Sequence, residues 1–337
     1  MTETGTCPKK MVYGPCGGVT PAGRCEVDGD LPCPFVTTST VLWRGEAVGP
    51  GGAPPSPGRQ PLLDVLSTRL IVLADLPAAP CDRIALQRSA DLLAGSVDAV
   101  LIGDHPGARV QFPPSYRAHL LRDRGVAVWA GLNCRDRNRV ALEGELAALV
   151  DADVAAVHCV TGDHTALGHR PDAAPVFDLD STRLAAAARA AGLLVSVAES
   201  PCAPPADRRP DRLTEKVRAG AQVCLLNHAG GAAPVAAFIA AGPDVPYIAC
   251  VPVVLGPAQA QLLAAFPGLV LPPGFLAGIL DAPDPVGAGI DAAVRLAEEL
   301  LAVPGVRGVD LGAVPVAGTE DETARALATV ARALRGS

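Results

Sequence analysis

Four cysteines lie at near-equal intervals close to the start of the chain, and four thiolates are what one tetrahedral metal ion or one cubane cluster requires. They are Cys7, Cys16, Cys25 and Cys33, in the segment CPKKMVYGPCGGVTPAGRCEVDGDLPC. The residues between them are mostly Gly, Pro and charged residues, so the segment has too little apolar surface to order itself by burial. The composition predicts that a bound metal or cluster orders the first forty or so residues.

Two disulfides, or four unliganded thiols, are the alternatives to a metal. The N-terminal sequence MTETGTCPKK does not resemble a secretory signal peptide, and no run of about 18 apolar residues is present, so a cytoplasmic location is expected. Disulfides are disfavoured there, and clustered cysteines usually bind metals or act in catalysis. Structural zinc sites usually carry a C-x2-C pair, which this segment lacks. This favours a [4Fe-4S] cluster, with zinc as the alternative.

A second set of chemically capable side chains follows short apolar runs further along the chain. Carboxyl, imidazole, amide and guanidinium groups of this kind serve proton transfer and recognition of small molecules. They are Asp75, Asp104, His105, Asn133, Arg135, Asp136, Thr161, Asp163, Glu199, Asn227 and His228, while Asp310 lies within the last apolar run. If the runs are parallel strands, these groups meet at one rim and form an active-site mouth.

The elements that position these residues are eight apolar runs separated by helical patterns. The runs cover residues 69–75, 97–103, 126–132, 154–162, 193–198, 221–227, 245–251 and 306–312. Candidate helices between them include 85–93, 136–150, 181–191, 212–219, 258–265 and 287–302. Strands that are apolar on both faces and alternate with helices indicate a parallel sheet. Eight such units, with no G-x-G-x-x-G after the first strand, favour a (β/α)8 TIM barrel over an open Rossmann sheet.

The predicted domain organisation follows the change of composition along the chain. Residues 1–44 are the four-cysteine metal or iron–sulfur module, 45–61 a Pro/Gly-rich linker, and 62–337 the barrel. The chain has 3% aromatic residues, a formal net charge of −7 and no basic cluster, which argues against a nucleic-acid partner. No membrane partner is expected either.

Several segments, in order, resemble the methylenetetrahydrofolate reductase barrel. They are VLADLP with Asp75, VDAVLIGDHPGARV, NCRDRNRVALEGEL, VTGDHTALGHRPDAAPVFDLDS, EKVRAGAQVCLLN and VPGVRGVDLG. The resemblance covers about residues 65–335. The N-terminal cysteine run independently resembles the module found with such barrels in reductases of acetogen-type bacteria. There the cysteines are taken to bind an iron–sulfur cluster or zinc.

The resemblance implies an oxidoreductase of one-carbon metabolism that reduces 5,10-methylenetetrahydrofolate to 5-methyltetrahydrofolate. The hydride generally passes through a flavin, FAD or FMN, reduced by NAD(P)H, although some members work without flavin. The implied partners are a tetrahydrofolate-type substrate and either a partner reductase subunit or a second copy of the chain. Two alternatives stay open. One is a non-catalytic or electron-relay subunit of a reductase complex, and the other is a folate-dependent one-carbon transferase without hydride transfer.

The resemblance also implies roles for individual residues. Asp75 stands where the family has a Glu that protonates the substrate ring, and Asp163 stands at the family's aspartate near the flavin and the pterin. Asn227 replaces a pterin-binding Gln, and Lys216 matches a lysine associated with flavin phosphate. The remaining predicted binding residues are Asp104, His105, Arg135, Asp136, Asn138 and Thr161.

Each of these positions also has a purely structural interpretation. Asp75, Asp163 and Asn227 could cap turns, Lys216 could be solvated, and Asp136 could be the N-cap of the following helix, in which Arg139 pairs with Glu143. The chain departs from the family pattern in three further ways. The acid is Asp rather than Glu, the usual His of the last strand is Asp310, and Glu199-Ser200-Pro201 replaces a Tyr-Pro-Glu stretch.

Overall fold

The eight apolar runs form eight parallel strands that close into a barrel, with β8 paired back to β1, in a computed structural model of the chain. The structure describes residues 7–38, 40–45, 52–104, 108–264, 269–314 and 316–336, so the predicted binding residue His105 lies outside the described residues. The strands are β1 (Ile71–Asp75), β2 (Ala99–Ile102), β3 (Ala127–Asn133), β4 (Ala156–Val160), β5 (Val195–Glu199), β6 (Val223–Leu226), β7 (Tyr247–Pro252) and β8 (Val306–Gly312). This arrangement confirms the predicted (β/α)8 fold.

Helices connect the strands, as a right-handed parallel barrel requires. They are α1 (Arg59–Thr68), α2 (Arg83–Leu93), α3 (Pro114–Leu121), α4 (Arg139–Asp151), α5 (Ser181–Ala190), α6 (Arg209–Ala219), α7 (Ala232–Ala241), α8 (Pro257–Ala264), α9 (Phe275–Leu280), α10 (Pro285–Leu301) and α11 (Glu320–Gly336). Asp82 and Asp180 cap α2 and α5 by accepting hydrogen bonds from first-turn amides. None of the helices in the described part of the chain has both the length and the apolarity that crossing a bilayer requires.

The strands are apolar on both faces because each face meets a different hydrophobic layer. On β1, Ile71 and Leu73 belong to the layer inside the barrel, whereas Val72 and Ala74 pack in the layer beneath the helices. Helix α1 starts within the predicted linker and adds Leu62 to the inner layer, so it closes the amino-terminal end of the barrel. With that end closed, the carboxyl ends of the strands are left to form the site.

The N-terminal cysteine module lies against α5 and α6. Its main chain supplies most of the contacts: Arg209 Nη2 donates to the Cys16 carbonyl at 2.8 Å, and Asp180 Oδ2 accepts from the Tyr13 amide at 3.4 Å. Gly14 adopts a φ of +130°, and a Cβ there would lie 2.5 Å from Arg212 Cδ, so only glycine allows this close approach. The contacts hold the module beside the ends of β4 and β5. The division into residues 1–44, 45–61 and 62–337 stays a prediction.

Candidate functional site

A cavity of about 270 Å³ opens at the carboxyl ends of the strands. It brings together three of the predicted site residues, Asp75, Asp104 and Asn227, which come from the ends of β1, β2 and β6. Further polar side chains complete its wall, namely Gln111, Arg117, His158, His228, Cys250 and Asp310. The mixture of carboxyl, amide and imidazole groups with apolar neighbours is typical of a small-molecule site.

Two carboxyl groups, those of Asp75 and Asp310, define the electrostatics of this cavity. Burial raises the pKa of Asp75 from its ordinary 3.8 to about 7. Burial also raises the pKa of Asp310 well above its ordinary value, the negative charge of Asp75 raises it further, and a hydrogen bond from Cys250 opposes the rise only in part. Near neutral pH this corner of the cavity therefore holds a protonated carboxyl group, which can act as an acid.

The two histidines that line the cavity among the described residues are neutral at physiological pH. Burial lowers the pKa of His158 to about 3, with a smaller contribution from the charge of Lys216, and burial lowers the pKa of His228 to about 4. His158 Nδ1 lies 2.8 Å from Ser196 Oγ, which also accepts a 2.8 Å hydrogen bond from Trp129 Nε1. These imidazoles can hydrogen-bond a ligand, but they contribute no positive charge to the cavity.

Asp104 is held in place by a network that uses the NCRDRN segment. It accepts hydrogen bonds from Asn133 Nδ2 at 2.8 Å and from Arg135 Nη1 at 3.1 Å. Arg135 is fully buried and also forms a two-pronged ion pair with Asp136, at 2.6 and 2.7 Å. Two predicted binding residues, Arg135 and Asp136, are thus placed behind the cavity wall, where they orient Asp104.

The start of α4 corrects one structural expectation and confirms another. Asp136 is not the N-cap, because its carboxylate is occupied by Arg135; the cap is Asn138, whose Oδ1 accepts from the Ala141 amide at 3.0 Å. The expected pair between Arg139 and Glu143 is present at 2.7 Å.

A second cavity of about 260 Å³ lies between the cysteine module and the barrel. It shares Asp104 and Asn227 with the first cavity and adds three predicted residues, Thr161, Asp163 and Lys216. Thr161 Oγ1 accepts from the Ser181 amide at 3.2 Å, whereas Asp163 is exposed, with a 3.8 Å ion pair to Arg109.

Lys216 is not solvated, because α6 buries it against the end of β5. Its Nζ lies 2.6 Å from Glu199 Oε1 and donates to the Ala198 carbonyl at 2.5 Å. Burial alone raises the pKa of the Glu199 carboxyl, but the charges of Lys216 and Arg209, together with Arg212, outweigh it and lower that pKa below its ordinary value. The lysine charge is therefore neutralised by a buried carboxylate.

The four N-terminal cysteines line one small, largely apolar cavity of about 20 Å³. Burial raises the pKa of the Cys16 and Cys33 thiols. Across the described ranges, no three His, Cys, Asp or Glu side chains are arranged so that they could hold a metal ion. Four thiols are the donor set that a sulfur-ligated group requires, but they are not in a ligating arrangement in this structure, and the ligand role of the four cysteines stays a prediction.

The cavity wall also holds residues outside the predicted binding set, namely Asp310, which the sequence placed only within the last apolar run, and Cys250, His158 and Arg117. Asp310 stands in the middle of an apolar strand between Gly308 and Gly312, and a charged residue in such a position is itself a signal of function. His158 follows the inward alternation of β4, which could have placed it in the mouth. Arg117 comes from α3, which was not among the candidate helices, and its Nη1 donates to the Gly103 carbonyl at 2.7 Å.

Comparisons with known proteins agree with the fold and with the N-terminal module. Residues 2–47 match a family model described as "Methylene-tetrahydrofolate reductase C terminal", which confirms the resemblance of the cysteine segment. No curated protein sequence matches the chain.

Many solved structures resemble the chain in fold, among them the following three. A protein from Clostridium thermocellum that binds two copies of 5-methyl-5,6,7,8-tetrahydrofolic acid is 13% identical, covers 81% of this chain and 99% of its own, and has a TM-score of 0.59. An oxaloacetate acetylhydrolase (14% identity, 77% and 81% coverage) and a tryptophan synthase from M. tuberculosis (15%, 83% and 99%) both have TM-scores of 0.50. At such identities the likeness shows the barrel fold.

Proposed function

We propose that the chain is a methylenetetrahydrofolate reductase-like oxidoreductase that binds a reduced folate in the barrel mouth and forms 5-methyltetrahydrofolate. The observation that carries the proposal is the acid Asp75 at the end of β1, half-buried in the wall of a cavity of about 270 Å³. The family match over residues 2–47 and the folate bound by a barrel of similar fold support the choice of substrate class. Together they favour one-carbon chemistry over the other reactions that barrels of this kind perform.

The role of Asp75 is to protonate one of the two nitrogens bridged by the methylene group. The C–N bond at that nitrogen then breaks, its electron pair stays on the nitrogen as an amine, and the methylene carbon becomes part of an iminium ion on the other nitrogen. A carboxyl group with a pKa near 7 suits this step, because about half of it is protonated at neutral pH and it is still a competent donor. A hydride from reduced nicotinamide then completes the methyl group.

The remaining cavity groups provide hydrogen bonds to the ligand. Asn227 offers an amide at the junction of the two cavities, and Asp104 offers a carboxylate whose orientation is fixed by Asn133 and Arg135. A carboxylate and an amide facing a cavity suit the amino and carbonyl edge of a pterin ring. The neutral His158 and His228 add two further hydrogen-bonding groups without repelling the iminium cation.

The arrangement at Lys216 does not favour a flavin. A lysine that holds a phosphate must present its charge to the ligand, but in the wall of the second cavity the charge of Lys216 is paired with Glu199 at 2.6 Å. A phosphate placed there would lie beside a buried carboxylate, which costs free energy. We therefore derive no step through a flavin, and the proposed hydride donor is NADH or NADPH directly.

The test is anaerobic formation of 5-methyltetrahydrofolate from 5,10-methylenetetrahydrofolate and NADH or NADPH by the full chain. Asp75→Asn should lower turnover by about 100-fold or more, the range that general acids contribute. Asp291→Asn, on an exposed position of α10, is the matched control and should retain turnover. Unchanged activity in Asp75→Asn would remove this residue from the mechanism.

A second candidate function, electron relay, is favoured by the position of Cys16. This cysteine lines both the cysteine cavity and the second cavity, which in turn shares Asp104 and Asn227 with the mouth. A [4Fe-4S] cluster held by Cys7, Cys16, Cys25 and Cys33 would supply single-electron transfer next to the barrel, whereas zinc would make the module structural.

Stopped-flow absorbance of the anaerobic protein separates the relay from the reductase. After reduction with dithionite, reoxidation of the cluster by free FMN but not by methylenetetrahydrofolate supports the relay. NADH-dependent product formation at the normal rate by Cys16→Ser contradicts it, because the reaction then proceeds without the module's cluster.

A further inference from the structure

Two carboxyl groups from neighbouring strands face the same corner of the mouth cavity. Asp310 of β8 is directly opposite Leu73 of β1, and Asp75 lies two residues further along β1. Because side chains of a strand alternate between its faces, Asp75 and Asp310 both project to the inside of the barrel. Both line the same cavity. They are therefore diagonal neighbours across a strand pair, a relation within reach of direct interaction.

Local features of β8 bring the two groups together and leave Asp310 without a conventional partner. Gly312 is the next residue of β8 on the same face as Asp310. It has no side chain, and a Cβ there would lie 3.3 Å from Asp75 Oδ2. Asp310 is 3% exposed; its Oδ2 accepts from Cys250 Sγ at 3.8 Å, while its Oδ1 has no hydrogen-bond partner among the described residues. A buried carboxyl oxygen with no partner in a cavity wall indicates a proton or a ligand.

Among the residues that the structure describes, no cation forms an ion pair with either carboxyl group. Burial disfavours the ionised form of both groups, and the charge of Asp75 further disfavours ionisation of Asp310. The two histidines of the cavity are neutral, and Arg117 is directed to the Gly103 carbonyl. The titratable and charged groups that face the pair from the surrounding elements are Cys250 of β7, His228 after β6, His158 of β4, Asp104 after β2 and Arg117 of α3.

We propose that Asp75 and Asp310 form a proton-sharing carboxyl pair, in which Asp310 keeps a proton available to Asp75 at a pH where Asp75 alone would be ionised. The inference rests on the proposed function for its catalytic consequence. Asp310 is a positioning residue for the proton, and Asp75 remains the group that touches the substrate. When the proton moves from Asp75 to the folate nitrogen, the C–N bond breaks toward that nitrogen. The pair gains one negative charge, opposite the positive charge of the new iminium.

The pair makes a prediction for the pH profile. With both carboxyls present, a proton remains on the pair above pH 7, so the acid-dependent rate persists into mildly alkaline solution. In Asp310→Asn only Asp75 is left, and the rate should fall about tenfold for each pH unit above about 7. The alkaline limb of the profile therefore moves to lower pH, a change that a merely structural role of Asp310 would not produce.

The decisive measurement is infrared spectroscopy of the ligand-free full chain, with isotope-labelled aspartate to assign the carbonyl band of a protonated carboxyl group. At about pH 9 the unmodified protein should keep one aspartic acid band. Asp310→Asn should lose that band, Asp75→Asn should move its midpoint to lower pH by a unit or more, and Asp291→Asn should leave it unchanged.

A missing band in the unmodified protein, or a band that survives Asp310→Asn, overturns the inference. The titration of the unmodified chain needs no variant, so it decides the matter even if a substitution impairs folding. Because the spectrum requires no folate, failure of the proposed reductase activity leaves this test intact. Conversely, reductase activity without the band refutes the pair alone.

Discussion

Replacing Asp75 by Asn should stabilise the protein more at alkaline than at acidic pH, because a carboxyl group that the barrel mouth partly removes from water costs folding free energy once it ionises. Burial raises its pKa from 3.8 to about 7. Between those two pH values the folded state holds a proton that the unfolded chain has already released. Stability therefore falls as the pH rises through this interval and stays low above pH 7.

The size of the effect follows from the two pKa values. One pKa unit corresponds to about 1.4 kcal/mol, so the interval from 3.8 to about 7 amounts to about 4 kcal/mol, of which about two-thirds accrues above pH 5. Asp75 keeps some exposure to the cavity, which reduces the cost. We expect the difference in unfolding free energy between Asp75→Asn and the unmodified protein to increase by about 2 kcal/mol from pH 5 to pH 8.

Urea unfolding followed by tryptophan fluorescence, to which the fully buried Trp129 and the half-buried Trp43 both contribute, measures both proteins at the two pH values. Groups that titrate alike in the two proteins cancel in the difference, and Asp291→Asn serves as the control for a generic loss of one carboxyl. A difference that is the same at pH 5 and pH 8, or that favours the unmodified protein at pH 8, would refute the assignment of a raised pKa to Asp75.

Three further predictions concern the supports of the site. Cys16→Ser should release the bound metal and loosen the N-terminal module, while the thermal transition of the barrel stays largely intact. Iron, sulfide and zinc are measured per chain, and full metal occupancy in this variant would contradict the four-cysteine site. Lys216→Met should destabilise the fold by about 3 kcal/mol in urea titrations, because the Glu199 carboxylate stays buried and keeps only the weaker partner Arg209 at 3.7 Å. A loss below about 1 kcal/mol would contradict the ion pair between Lys216 and an ionised Glu199. Ser196→Ala should lower the unfolding free energy by about 1–3 kcal/mol in the same titration, because it leaves the Trp129 indole N–H and the His158 ring nitrogen unpaired. No change in stability would mean that water replaces the hydroxyl group.

The barrel could be predicted because two independent sequence patterns indicate its strands: apolar residues on both faces of each strand, and helical patterns between the strands. Each of the eight predicted runs contains most or all of one strand. Helix α1 was harder to predict, because it starts inside a segment whose Pro and Gly content indicated a linker. Its stability comes from Leu62 and Leu66, which pack under the barrel. Helix α7, AAPVAAFIAA, is apolar over most of its length and gives little helical periodicity.

The site was only partly predictable for a different reason. The rule that strand ends carry the chemistry selected Asp75, Asp104 and Asn227, which the structure places around one cavity. The rule does not distinguish a residue that faces the ligand from one that only supports such a residue. Arg135 and Asp136 were therefore selected as binding residues, although they lie behind Asp104. The rule also gives little weight to residues in the middle of a strand, such as Asp310. The position of Asp310 beside Asp75 follows from the pairing of β8 with β1, which come from opposite ends of the sequence. Such pairings exist only once the barrel has closed.

The most direct test of the proposed reaction is a single turnover of the anaerobic full chain with 5,10-methylenetetrahydrofolate and NADH carrying deuterium at the transferred position. Mass spectrometry of the product then reports the path of the hydride. We expect 5-methyltetrahydrofolate with one deuterium in its methyl group, because in the proposed reaction the hydride passes directly to the iminium carbon that Asp75 would help to form. Absence of 5-methyltetrahydrofolate when the substrate is bound would contradict the reductase function, and unlabelled product would contradict direct transfer.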